Sequence, residues 1–239
     1  SRFALEIFTA FPVEKTAYFP AKKMISVGNP LREIILSGPK ENPKEILKLT
    51  GKKPIIFFIG GSQGAQRIND ELLSDLSDFL KNFEIIHQTG RKNFEQVKKE
   101  AEVVIDKGLE KYYHPYPFLS EIEMAAALRA ADLIISRAGA GIIFEIAAIG
   151  KPSILVPLKN SAQDHQVKNA YVFAENGAVM VMEEENFRAH FLLEVIRQLF
   201  SRPKKLKKMA KKAEEFSRPQ AARIIAQYIV EYLKQDSEN

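Results

Sequence analysis

The chain has 239 residues, 46% of them hydrophobic and 27% charged, enough for a real core and far from the composition of a disordered polymer. It holds no cysteine, which excludes disulfides, thiolate metal sites and thiol nucleophiles. No stretch approaches the ~20 apolar residues of a membrane-spanning helix, and the N-terminus lacks the layout of a signal peptide, so a soluble cytoplasmic protein is expected.

In chain order, residues 1–31 are expected to hold one helix (Phe3–Tyr18) and one strand (Met24–Val27), closed by the turn signal Gly28-Asn29-Pro30. Residues 32–53 are polar, carry Gly38-Pro39 and Asn42-Pro43, and read as a linker. From 54 to 218 apolar runs of strand length alternate with longer amphipathic segments. The strands are expected at Ile55–Ile59, Glu84–His87, Leu133–Ser136, Ser153–Val156 and Ala178–Met182, and helices at 66–81, 92–101, 121–130, 141–149 and 163–175. Ile55-Ile56-Phe57-Phe58-Ile59 is apolar on both faces, as a buried parallel strand is. The alternation predicts an α/β class, a doubly wound parallel sheet of Rossmann type.

Lys204, Lys205, Lys207, Lys208, Lys211 and Lys212 carry most of the net charge of +5. Aromatics do not interleave with them and no reading module accompanies them, so no nucleic-acid partner is expected. The run reads as a solvated helix face, with an anionic membrane surface as the other fit. Pro219 then opens a helix, 219–239, whose stripe Ala222, Ile225, Ile229, Tyr232 and Leu233 is apolar at helical spacing. The end pieces need a packing partner, which a second domain, with its main body upstream, would supply.

Three segments carry chemistry. Ile59-Gly60-Gly61-Ser62-Gln63-Gly64-Ala65 follows a buried strand and precedes a helix. Glycines allow close approach, and a helix start offers free N–H groups and the positive end of a dipole, a combination suited to a diphosphate. It is neither the Gly-x-Gly-x-x-Gly dinucleotide signature nor the lysine-bearing P-loop, which disfavours NAD and ATP. Ser136-Arg137-Ala138-Gly139-Ala140-Gly141 repeats the layout, with Ile142 and Glu145 in the helix that follows; Glu145 is placed to accept from both hydroxyls of a ribose. Val156-Pro157-Leu158 leads to Ser161, Asp164, His165, Gln166 and Asn169, amide-rich groups suited to the hydroxyls of a neutral sugar. An Asp-His pair without further ligands does not make a metal site, and no Asp-x-Asp motif occurs. No metal and no cofactor are expected, so leaving-diphosphate charge would fall to helix dipoles and N–H groups.

Taken together, Gly28-Asn29-Pro30-Leu31-Arg32, Gly60-Gly61-Ser62-Gln63-Gly64-Ala65, Ser136-Arg137-Ala138-Gly139-Ala140, Glu145-Ile146-Ala147-Ala148-Ile149-Gly150-Lys151-Pro152 and Asp164-His165-Gln166 with Asn169-Ala170 resemble the MurG family, over essentially the whole chain. That family transfers N-acetylglucosamine from UDP-N-acetylglucosamine to lipid I, giving lipid II of peptidoglycan synthesis. The resemblance implies the C-terminal half of a GT-B glycosyltransferase. It also implies UDP-N-acetylglucosamine and lipid I as partners, and a peripheral place on the cytoplasmic face of the membrane. Arg32 and Ser62 are implied as phosphate contacts, Glu145 as the ribose acceptor, Gln166 as a sugar-hydroxyl partner, and Leu119 as the residue whose backbone reads uracil. Gly61, Gln63, Gly64, Arg137, Gly139, Ala140, Gly141, Ile142, Asp164, His165 and Asn169 complete the expected donor site. The sequence departs from the pattern at Gly141-Ile142-Ile143-Phe144, where the family tends to small polar residues. The acceptor domain with the base has no counterpart here, so no catalytic residue is assigned and the chain alone is expected to be inactive. The alternative is a non-catalytic UDP-sugar module, or a donor subunit served by a separate acceptor chain. A UDP-N-acetylglucosamine epimerase would need acidic residues against the sugar carbons, and no such set is found.

Overall fold

The structure, a computed structural model, describes residues 4–16, 19–60, 65–159, 161 and 164–237. Among these, six strands form a parallel sheet: β3 (Ile55–Ile59), β4 (Glu84–Gln88), β5 (Tyr113–Tyr116), β6 (Leu133–Ser136), β7 (Ser153–Leu155) and β8 (Val179–Val181). Their spatial order β5-β4-β3-β6-β7-β8 is that of a Rossmann sheet, with the direction of winding reversing between β3 and β6. The fold expected from the alternation is therefore the fold observed.

The two faces of β3 explain its composition. Ile56 and Phe58 enter one apolar cluster and Ile55, Phe57 and Ile59 the other, so every residue of the strand is buried. The first cluster is closed by α3 (Gln66–Ser74), α4 (Leu76–Asn82), α5 (Phe94–Val104) and α9 (Ala189–Phe200); the second by α6 (Glu121–Ala130), α7 (Ala140–Ile149) and α8 (His165–Glu175). α10 (Pro203–Phe216) lies along the edge of both, burying Met209 in one and Ala213 in the other.

Several expectations need correction. The single helix expected over 66–81 is two, broken at Asp75, whose φ of −128° leaves the helical region. The segment 32–53 is packed rather than a bare linker. It forms α1 (Glu33–Ser37) and α2 (Pro43–Ile46), and Ile35 and Leu47 are fully buried in the second cluster against α6. In the span 3–18 the described residues form a strand, β1 (Ile7–Thr9), and a single 3-10 turn at Val13–Lys15, in place of the expected helix. β1 pairs in parallel with β2 (Met24–Ser26), a tertiary partnership that local periodicity does not report.

The ends of the chain meet. Phe8 of β1 stands edge-on to Tyr228 of α11 (Ala221–Ser237) at 5.2 Å, and Phe11 joins Phe144 and Phe216 in one aromatic group. Gly28, at φ +90°, allows the entering chain to pass Arg218, whose Cβ a side chain at 28 would meet at 2.3 Å. Ile229, Tyr232 and Leu233 stay exposed, at 50%, 43% and 57%.

Candidate functional site

The carboxyl ends of β3 and β6 flank the point where the winding reverses, the place at which open α/β sheets bind ligands. From β3 the chain passes Gly60 toward α3. Gly61, Ser62, Gln63 and Gly64, all expected in the site, lie outside the described residues. From β6 it passes Ser136, Arg137 and Ala138 to Gly139, the N-cap of α7. Gly139 supplies no side-chain cap, whereas α6 begins with a full capping box between Ser120 and Glu123. The first N–H groups of α7 thus point outward with the positive end of the helix dipole behind them.

The glycines here differ in kind from those elsewhere. Gly150 sits at φ +65°, and a Cβ there would meet Glu214 at 2.5 Å, so the fold itself requires glycine. Gly139 adopts an ordinary φ of −67°, and a Cβ on it or on Gly141 would meet no described residue within 4 Å. Among the described residues, neither backbone strain nor packing calls for glycine there.

Glu145, the second turn of α7, receives two hydrogen bonds from Arg32, the residue that opens α1: Nη2 at 2.7 Å and Nε at 3.2 Å to the same Oε1. Burial pushes the Glu145 carboxyl up, and the Arg32 guanidinium only partly offsets that. Arg32 also stands 4.0 Å from the exposed carboxylate of Glu121. The structure therefore joins two residues expected to make separate ligand contacts, and joins them to each other.

Other expected contacts are turned onto the protein. Arg137 donates to the Val156 carbonyl at 3.1 Å and to Glu184, a strut between strand ends rather than a free guanidinium. The Leu119 N–H donates to Gln88 Oε1 at 3.0 Å inside the core. Gln166 Oε1 accepts from Ala138 N–H at 3.3 Å and Leu158 N–H at 3.1 Å, and Asn169 Nδ2 donates to the Ala138 carbonyl at 3.2 Å. Asp164 is the N-cap of α8 in the left-handed conformation, φ 54°, and it and His165 are exposed beside this clamp. Ala140, Gly141 and Ile142 form the first turn of α7.

Gln88, Glu121 and Glu184 belong to the site's scaffold and were not among the expected residues, whereas Ser161, expected at the sugar, anchors the start of α8. Gln88 was findable, as a polar residue ending an apolar run at the carboxyl edge of a strand. Among the described residues no group of three or more His, Asp or Glu could hold a metal ion, and no helix is long and apolar enough to cross a membrane. A groove of about 590 Å³ lined by Leu73, Val103 and Val104 lies at the far ends of α3 and α5, on the opposite edge of the sheet from this site.

Residues 55–225 match the model of the glycosyltransferase family 28 C-terminal domain. The chain belongs to this family. A UDP-N-acetylglucosamine–N-acetylmuramyl-(pentapeptide) pyrophosphoryl-undecaprenol N-acetylglucosamine transferase of Treponema denticola is 34% identical over 251 residues, across 100% of this chain and 63% of that protein. The transferase of the same name from Caldanaerobacter subterraneus is 38% identical over 221 residues, 90% of this chain and 59% of that one. Among solved structures, Acinetobacter baumannii MurG matches with a TM-score of 0.72 and 28% identity over 96% of this chain and 61% of that one. The resemblance to the MurG family and the GT-B fold are thus borne out. This family 28 chain spans about six tenths of the length of these relatives.

Proposed function

We propose that the chain is the donor-binding half of an inverting hexosyltransferase that uses UDP-N-acetylglucosamine to convert lipid I to lipid II at the cytoplasmic face of the membrane. The observation that carries the reading is the start of α7: a helix N-terminus with no side-chain cap and two glycines that no contact among the described residues requires, beside Arg32 and Glu145. Diphosphate oxygens would accept from the first N–H groups of α7, where the dipole favours negative charge without a cation. Arg32 would then exchange one anion for another, leaving Glu145 for a phosphate. Glu145, freed of its partner, would accept from the two hydroxyls of the ribose. Leaving-group charge on UDP would grow where these donors already point, so they stabilise the transition state more than the bound donor.

The acceptor and its base belong, on this reading, to a further domain. The exposed apolar residues Ile229, Tyr232 and Leu233 on α11, together with Leu5 near the open β1–β2 pair, are a surface suited to packing against one. Calorimetry with UDP, UDP-N-acetylglucosamine, NAD and ATP, each with and without a chelator, tests the donor reading. Binding of the uridine nucleotides above the other two, indifferent to chelator, is expected. Equal or tighter binding of NAD sinks it, and loss of binding in chelator sinks its metal-free form.

A further inference from the structure

We infer that Gln166 and Asn169 are positioning residues: together they clamp the turn between β6 and α7 into the shape in which the N-terminus of α7 can meet a donor diphosphate. The inference rests on the donor reading above, and concerns what fixes that site rather than what the site holds.

Ala138 is fully buried at the point where the chain leaves β6 and has not yet entered α7. Its N–H and C=O have left the sheet ladder and lie ahead of the helix ladder, yet burial demands partners for both. Side chains from α8 supply them. The Gln166 amide oxygen takes the N–H at 3.3 Å, and the Asn169 amide nitrogen gives to the carbonyl at 3.2 Å. The donors and acceptors of the backbone fix which way each amide must face. The same Gln166 oxygen accepts from Leu158 N–H at 3.1 Å, so one atom ties together the exit loops of adjacent strands β6 and β7.

The clamp is itself anchored. Gln166 N–H donates to Ser161 Oγ at 3.2 Å, and Asp164 N–H to the Ser161 carbonyl at 2.7 Å, where Ser161 is buried. Gly139 follows Ala138 directly and has no side chain to hold its own position. The direction in which α7 presents its first N–H groups is therefore set from α8. With its amide oxygen accepting two backbone bonds, Gln166 serves the diphosphate turn first, which a role confined to sugar hydroxyls does not describe.

The test uses the whole chain with Gln166→Ala, Gln166→Glu and Asn169→Ala. Hydrogen exchange reads the clamp without any ligand. The amides of Ala138 and Leu158 should exchange at least about tenfold faster in Gln166→Ala, in keeping with one lost hydrogen bond each. They should be slow again in Gln166→Glu, which keeps the accepting oxygen. Unchanged exchange in Gln166→Ala overturns the clamp. Calorimetry then reads its purpose: Gln166→Ala and Asn169→Ala should each weaken UDP and UDP-N-acetylglucosamine by the same factor, about five- to tenfold, and leave uridine unchanged. Weakening of the sugar nucleotide alone identifies a direct sugar contact and overturns the inference, as does an equal loss of uridine, which marks general loosening. Absence of UDP binding by the unaltered chain overturns the donor reading instead, while the exchange measurement still decides the clamp.

Discussion

Two glutamates withdrawn from water sit at opposite edges of the same sheet, and they are held in opposite ways. Glu84, the first residue of β4, is fully buried at the amino edge. It accepts from Thr50 N–H at 2.6 Å, Thr50 Oγ1 at 2.8 Å, Gly51 N–H at 2.9 Å and His114 Nε2 at 2.8 Å. Burial pushes its carboxyl up, but these bonds outweigh burial and hold it below the usual carboxylate range. Glu145, at the carboxyl edge, has one strong partner, a side chain from elsewhere in the chain, and its carboxyl is held above the usual range. A carboxylate saturated by two backbone and two side-chain donors of the fold has nothing left to offer a ligand. One held by a single exchangeable arginine has.

The largest effect should separate the two on stability. Glu84→Ala removes four hydrogen bonds and leaves a cavity where the buried carboxylate stood, and should lower the unfolding free energy by about 3 kcal/mol, read by urea titration. Surviving folded protein should bind UDP unchanged. A loss below about 1 kcal/mol would show that the Glu84 donors find water. Glu145→Ala should be nearly neutral in the same titration and should weaken UDP by about 1–3 kcal/mol, with a smaller loss for a nucleotide lacking the ribose diol. The reverse pattern, a destabilised protein with intact UDP affinity, would make Glu145 structural.

Acid should sharpen the contrast, because the two shifts have opposite signs. Glu84 has its folded pKa below the unfolded value of 4.5, so its contribution is present above pH 4.5 and is lost as pH falls below it. Glu145 has its folded pKa above 4.5, so it takes up a proton more readily folded than unfolded, and its stabilising contribution is lost as pH rises through that window. His87 adds to the first. Wholly buried between Tyr113 OH at 2.8 Å and Asn69 Oδ1 at 3.0 Å, it has its pKa pushed down by burial from 6.5 to about 3. Between those values the unfolded chain holds the extra proton, so stability should fall as pH falls, by at most about 1.4 kcal/mol per pH unit. Chemical denaturation of Glu145→Gln from pH 7 to pH 4, which removes the opposing carboxyl, checks this; a flat profile there would mean that His87 is protonated within the fold.

What was legible in the sequence follows the same division between local and distant causes. β3 and β6 were readable to the residue because both faces are apolar. β5 was not, since Tyr113-His114-Pro115-Tyr116 carries a proline that only an edge strand tolerates, and its place at the edge is a tertiary fact. α2 has a local signal: Asn42 caps Lys44 N–H at 3.0 Å and Pro43 occupies the first helical position, a start that Asn-Pro in a polar segment shares with a turn. Arg32 and Glu145 were each singled out, but 113 residues separate them and nothing local announces their pairing. Phe144, a departure from the family pattern, is explained by Phe11 and Phe216, which it joins across the junction of the chain's ends.

The smallest expected effect concerns the other carboxylate near Arg32. Glu121 Oε1 stands 4.0 Å from Arg32 Nη1, with 68% of its side chain exposed, against 13% for Glu145. Water screens the first interaction, and an exposed pair at that distance contributes between nothing and about 1 kcal/mol. Glu121 also adds to the upward push on the Glu145 carboxyl, so its charge works against ionisation of Glu145. Glu121→Gln removes that charge while keeping the shape. UDP affinity should change by less than about twofold, with any change toward tighter binding, since Arg32 loses one competing anion and Glu145 loses one repelling neighbour. A tenfold weakening would place Glu121 itself against the nucleotide, and the distinction between a partner held in the protein and one held in water would then fail at this arginine.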